Sequence, residues 1–209
     1  MSSVSRSESA RAEDSPDSAV SPETSPLDEA MERYADGDST AFNRVFHGLS
    51  PRIRAFLQRL SGRVDVAEDL MQETFLRMHR ARGSFVRGRS VVPWAYAIAR
   101  NCYIDHARVK AKLNVSARDV SELEIAAGAD TCAEEVAVAK QSAQTVERVL
   151  AEMTVARREA FILLRYEGMS VEAAAQVLGI SEGAVKLRAF HAYEILRAAL
   201  RGGAEGAQR

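Results

Sequence analysis

The sequence predicts an all-α protein built as two small helical domains joined by a flexible linker. Three observations lead there. Apolar side chains recur at three- and four-residue steps through most of residues 27–200, the spacing of amphipathic helices. Only 12 Gly and 5 Pro occur in 209 residues, with 6% aromatics, too few for a turn-rich β-sandwich or barrel. Between 113 and 143 the periodicity fails and small residues mix with acidic ones around Gly128, which marks a linker with some helical tendency.

Residues 1–25 hold nine Ser with Pro16 and Pro22 and almost no large apolar side chains. Such a segment cannot bury enough surface to offset its ordering entropy, so a disordered tail is expected. The first domain spans 26–112. A helix begins near Leu27, carries Met31, Tyr34 and Ala35, and breaks at Gly37. Asp38 or Ser39 caps a second, bearing Phe42, Val45 and Phe46. Pro51 opens a third, with Ile53, Phe56, Leu57 and Leu60 as its stripe and Gly62 as its stop. From Asp65 to Arg82 the next helix divides sharply. Ala67, Leu70, Met71, Thr74, Phe75 and Met78 make a buried side, while Asp65, Glu68, Asp69, Gln72 and Glu73 make an acidic stripe. A loop over Gly83–Pro93 leads to a long helix from Trp94 to about Lys112.

The second domain spans 144–201. Helices are expected over Ala143–Met153 and Val155–Tyr166, the latter ending at Gly168. Ser170 caps a short helix that Gly179 stops, and Ser181 caps a last helix reaching about Leu200. Residues 202–209 should be loose.

Composition excludes several classes. No apolar run nears the ~20 residues that span a bilayer, so no membrane insertion is expected. The N-terminus lacks the apolar stretch of a secretory signal. Two cysteines, Cys102 and Cys132, cannot build a disulfide framework, so a reduced, cytoplasmic setting is the default. The formal net charge is only -1, but it is unevenly placed. Residues 77–112 carry nine Lys and Arg against Asp105 alone, a field that attracts phosphate backbones. The stretch 113–140 is acidic, with six carboxylates against Arg118 and Lys140.

Two short helices joined by Gly179-Ile180-Ser181, with Ala173 and Ala174 allowing close contact, form a helix-turn-helix. On the last helix Val185, Ala189, Ala192, Leu196 and Ala199 face inward. Lys186, Leu187, Arg188 and Phe190 can then meet phosphates, guanine edges or thymine methyl groups. A plain αα-hairpin with no ligand is the competing reading of that motif.

Three strings together resemble a known family. Asp65-Val-Ala-Glu68-Asp69-Leu70-Met-Gln72-Glu73-Thr-Phe75-Leu76-Arg77 resembles the D-x-A-E-D-L-x-Q-E-x-F-L-R signature of ECF (extracytoplasmic-function) RNA polymerase sigma factors. Trp94-x3-Ile98-Ala99-Arg100-Asn101-x3-Asp105-x2-Arg108 is similar to a second segment of that family. Gly168-Met-Ser170 through Gly183-Ala-Val185-Lys186 is similar to its helix-turn-helix module. The resemblance covers about 26–201 and identifies sigma region 2 with the first domain and sigma region 4 with the second.

The resemblance implies partners and roles. Asp65, Glu68, Asp69, Gln72 and Glu73 would dock on the β′ clamp helices of core RNA polymerase, with the β flap as a further contact. The loop headed by Phe85, with Arg87, Arg89, Arg100, Asn101 and Arg108, would read a melted −10 element of promoter DNA. There Phe85 would offer a stacking face, or else serve as core; Asn101 would bond the melted strand, or else pack between helices. Ser181, Glu182, Gly183, Lys186, Leu187, Arg188 and Phe190 would read a −35 element as duplex. An anti-sigma protein is a further expected partner, and the apolar Leu187 and Phe190 depart from the family pattern on that reading face. Loose sequence in the linker would suffice if polymerase fixes the spacing of the modules.

Other classes fare worse. Cys102, Asp105 and His106 superficially suggest a nucleophile and base, yet no Gly-rich phosphate loop accompanies them. No catalytic residue, metal or cofactor is therefore assigned. A dimeric helix-turn-helix regulator acting without polymerase would explain the last third but not the acidic stripe or the Trp94–Arg108 segment.

Overall fold

The computed structural model of the chain describes residues 25–114 and 133–206. The tail expected over 1–25, up to Ser25, and linker residues 115–132 lie outside the described residues. Helix α1 (Pro26–Ala35) starts where sequence chemistry places it: Pro26 sits in the first turn and the Ser25 hydroxyl accepts from the Leu27 amide at 3.3 Å. It buries Ala30, Met31 and Tyr34. Asp38 then caps a 3-10 turn over Ser39–Ala41 by accepting from the Thr40 amide at 3.0 Å.

The two helices expected on either side of Pro51 are one, α2 (Phe42–Ser61). A proline inside a helix costs about 3 kcal/mol. Against that, Val45, Leu49, Ile53, Phe56, Leu57 and Leu60 make one unbroken stripe across Pro51 and are all essentially fully buried. At ~1.5–3 kcal/mol for each buried side chain, keeping the stripe continuous wins. Pro51 itself lies on the exposed side.

Helix α3 (Val64–Ala81) buries Ala67, Leu70, Thr74, Phe75 and Met78, and the Thr74 hydroxyl is satisfied by the Leu70 carbonyl at 2.7 Å. A 3-10 turn over Arg82–Ser84 follows. Helix α4 (Val91–Asn114) begins before the expected Trp94, with Pro93 in its first turn, where no intrahelical partner is needed. The preceding loop is correspondingly short.

Helix α5 (Ala133–Glu152) is continuous, so the stretch read as linker is helical from Ala133 onward. Helix α6 (Val155–Arg165) is followed by α7 (Val171–Leu178), capped by Ser170 and closed by Gly179 at φ +65°, a left-handed turn that a side chain would strain. Helix α8 (Glu182–Gly206) runs past Leu200 through Gly202 and Gly203, residues read as loose. Once a helix is nucleated each glycine costs it only about 1 kcal/mol.

Helices α1–α4 pack together, as do α5–α8, and α4 and α2 also lie against α7 and α6. One apolar cluster runs from Met31, Leu49, Phe56 and Tyr96 into Ile162, Leu163, Val177 and Val185. The modules are thus closed on each other. Glu167, after α6, organises the seam: it accepts from the Tyr96 hydroxyl and lies 3.8 Å from Arg52 and 3.6 Å from Arg59. Arg59 also covers the Tyr166 ring at 4.3 Å, and Arg158 donates to the Leu60 carbonyl at 3.0 Å.

Candidate nucleic-acid interface

The acidic stripe on α3 is solvent-facing as patterned. Asp65, Glu68, Asp69 and Gln72 are exposed and Glu73 is half-buried. Asp65 is held by the Arg63 guanidinium, whose hydrogen bonds lower its carboxyl to about 2. Glu68 lies 3.6 Å from Arg54 on α2, so its carboxylate is lightly engaged and screened by solvent. Glu73 receives Arg77 at 2.8 Å, and the same guanidinium reaches Asp105 on α4 at 2.7 Å. The two carboxylates raise the Arg77 pKa and staple the acidic helix to α4.

Beyond α3 the chain forms the loop 85–90. Phe85, at its head, is buried and meets the Trp94 ring edge-on at 5.4 Å, so its ring serves the core in this conformation. Arg87, Gly88, Arg89 and Ser90 are exposed. Gly88 takes φ +73° in a turn closed by the Arg89 amide on the Val86 carbonyl at 3.2 Å. Arg87 is paired with Asp36, just past α1. The loop borders a cleft of about 710 Å³ with Phe85, Arg89 and Trp94 on one wall and Glu172 and Gln176 of α7 on the other.

On α4 the segment Arg100–Arg108 is split by the helical period. Asn101 and Arg108 are exposed, with Asp105 4.0 Å from Arg108. Arg100 instead points into the seam and donates to Glu159 of α6 at 3.0 Å. The Glu159 side chain is 1% exposed. Burial pushes its carboxyl up, and Arg100, Arg188 and Arg158 act in the opposite sense. One buried carboxylate therefore holds Arg100, a residue read as a DNA contact, and feels the charge of a second, Arg188 of the other module.

Ser181 caps α8 by accepting from the Ala184 amide at 3.3 Å. Glu182 and Gly183 lie exposed in its first turn, and Lys186 reaches Glu182 at 3.7 Å. Leu187 is 57% and Phe190 58% exposed, a large apolar commitment to solvent, while Arg188 is half-buried. Cys102 is buried beside Thr74 with its thiol pushed up by burial, the reverse of an activated nucleophile.

Sequence reasoning missed Asp28, Glu32 and Asp36 around the loop, and Glu159. The first three share a four-residue spacing that puts Asp28 and Glu32 on one side of α1 and Asp36 at its C-cap, a signal present in the sequence; nothing local announces the partner of Glu159.

Comparison with known proteins agrees with this geometry. Residues 45–113 match Sigma-70 region 2 and residues 143–196 match Sigma-70 region 4. The RNA polymerase sigma factor CarQ of Myxococcus xanthus is 34% identical over 171 residues, 80% of this chain and 93% of CarQ. The ECF RNA polymerase sigma factor SigF of Caulobacter vibrioides is 33% identical over 172 residues, 82% of this chain and 92% of SigF. Among solved structures, the sigma factor RpoE of Bartonella quintana, in complex with the anti-sigma factor NepR, superposes with a TM-score of 0.66 at 27% identity, covering 77% of this chain and 96% of RpoE. The fold is also that of CnrH, bound to the cytosolic domain of CnrY, with a TM-score of 0.62 at 23% identity, covering 84% of this chain and 97% of CnrH. With both modules matched in order and relatives covered almost end to end, the chain belongs to the ECF family of RNA polymerase sigma factors.

Proposed function

We propose that the protein divides promoter recognition between its two modules as follows, with the acidic face of α3 docking polymerase. As an ECF sigma factor it is a transcription initiation factor that directs core RNA polymerase to specific promoters, and RNA synthesis belongs to the polymerase. Asp65, Glu68, Asp69, Gln72 and Glu73 pair with the β′ clamp helices. The loop 85–90 with Asn101, Arg108 and Arg100 engages the melted −10 strand, and Ser181–Phe190 on α8 enters the −35 duplex, with the β flap supporting this module. The observation that carries this reading is that α3 presents an exposed acidic face while the loop that follows the same helix presents exposed Arg87 and Arg89. One face suits a basic protein partner and the other suits a phosphate backbone.

Arg100 cannot hold Glu159 and a phosphate at once, so promoter engagement by this residue exchanges the internal carboxylate for DNA. An anti-sigma protein is proposed as the partner of the closed form, since RpoE was captured with the anti-sigma factor NepR. The cytoplasm, where polymerase works, is the proposed location; among the described residues no helix is long and apolar enough to cross a membrane. A regulator acting without polymerase leaves the match over 45–113 without purpose.

The test is association with core enzyme and run-off transcription from a genomic promoter pool. Glu68→Lys combined with Asp69→Lys should weaken association at least tenfold, as expected when charge pairs become like-charge contacts. Unchanged association would remove α3 from the docking surface.

A further inference from the structure

Helix α1 precedes the segment matched to Sigma-70 region 2, and no role for it follows from that match. Yet its carboxylates, four residues apart, converge on the loop between α3 and α4. The Asp28 Oδ1 accepts from the Val91 amide at 2.7 Å, which satisfies one of the amides at the N-terminus of α4 that have no partner within the helix. The Glu32 Oε1 accepts from the Gly88 amide at 2.8 Å, at the residue whose left-handed backbone turns the loop. Asp36 takes the Arg87 guanidinium. Each contact crosses more than 50 residues of sequence, and each fixes a different point: the loop's apex, its exit and its foremost cation.

We propose that Asp28, Glu32 and Asp36 are positioning residues for promoter reading, whose carboxylates hold the 85–91 loop in the shape that receives an unpaired base. The inference rests on the reading that this loop engages the −10 strand. A loop tied through its backbone amides presents one arrangement of groups, and one arrangement discriminates among bases; a slack loop pays ordering entropy for every base and accepts more of them. Two of the three ties go to backbone N–H groups, so the device works for any loop side chains. Arg87, held by Asp36, stays beside the loop instead of reaching across it, which leaves Arg89 as the cation facing the cleft.

The experiment uses the full chain reconstituted with core polymerase. It transcribes two pools of linear duplexes, one randomised over the −10 element and one over the −35 element, with transcript sequencing as the readout. Asp28→Ala and Glu32→Ala, singly and together, should lower −10 sequence discrimination about three- to tenfold, the loss of one or two charge-assisted hydrogen bonds. Discrimination over −35 and association with core enzyme should stay at wild-type values. Amide exchange at Gly88 and Val91 should accelerate about tenfold while exchange in α2 is unchanged, which separates a loosened loop from a failed fold. Glu32→Gln, whose amide oxygen can still accept, should restore most of the discrimination. Faster exchange with −10 discrimination intact would overturn the proposal. A parallel triple variant of the loop's own exposed side chains, Val86→Ala, Arg89→Ala and Ser90→Ala, tests the underlying reading. If that variant leaves the −10 preferences unmoved, the loop does not read DNA and the proposal falls with it; if it shifts them and the α1 variants do not, only the role of α1 is lost.

Discussion

The two surfaces proposed to engage DNA differ in how far the chain has already answered its own charges. In the α1–α4 module, Arg77 sits between Glu73 and Asp105, Arg87 on Asp36 and Arg100 on buried Glu159. On α8 the proposed reading face is bare: Leu187 and Phe190 stand more than half exposed, and among the described residues Lys186 pairs with its own-helix neighbour Glu182. One surface is internally neutralised and shaped, the other displayed. A module that must admit a single-stranded base gains from a fixed loop, because a flexible receptor loses to entropy what it gains in contacts. A helix entering a duplex groove is already rigid and needs only exposed side chains. The seam at Glu159 joins the two regimes.

Cutting that seam should have the largest effect. Glu159→Ala leaves Arg100 facing a buried gap and removes the charge that Arg188 also feels, and breaking a buried pair costs about 3 kcal/mol. Urea denaturation should show a loss of that order, and small-angle scattering a larger radius as the modules part. A loss below about 1 kcal/mol would mean that water already satisfies both arginines, and the contrast between the surfaces would shrink.

Next in size is the bare face. Leu187→Ser and Phe190→Ser should each reduce affinity for −35 duplex by about tenfold, the worth of a good groove contact. Stability should move by less than about 0.5 kcal/mol, since these side chains are mostly in water already. A marked drop in stability with unchanged DNA affinity would assign the pair to internal packing.

The smallest effect lies at acid pH. Asp38 and Asp65 have carboxyls lowered to about 2, Asp38 by hydrogen bonds from Thr40 and Arg33 and Asp65 by those from Arg63. A lowered carboxyl pKa stabilises the fold above the ordinary value of 3.8 and ceases to do so as pH falls toward about 2. The Tm difference between wild type and Asp38→Asn should therefore be constant above pH 3.8 and close progressively below it. Asp65 is exposed and Asp38 only partly covered, so the difference should be small and should fade in high salt. A gap that persists near pH 2 would show that the cap at Thr40 acts without its charge.

Much of this was legible in the sequence because it is written in local spacing. The period of α3 separated its acidic face from Leu70, Phe75 and Met78, and the Ser170 cap with the Gly179 stop delimited α7. Local rules failed where longer-range packing outweighed them. Pro51 looks like a helix start until the stripe on both its sides is seen to bury against the same neighbours. Pro93 marked the end of a loop, yet it sits inside the first turn of α4, whose start is capped by Asp28 from 63 residues away. Phe85 was balanced between stacking platform and core, and the Trp94 edge against it places it in the core of this conformation. Arg100 and Arg188 belong to different helices and motifs, and no spacing rule pairs either with Glu159.

The hydroxyl of Tyr96 has a use of its own. It is shut inside the seam, where burial and the Glu167 carboxylate it donates to push its ionisation far upward. In alkaline titration this ring should stay spectroscopically silent while the seam is closed. It would ionise more readily when a promoter, a polymerase or a mutation pulls α4 from α6, so the protein carries a built-in optical gauge of its own opening, with no label required.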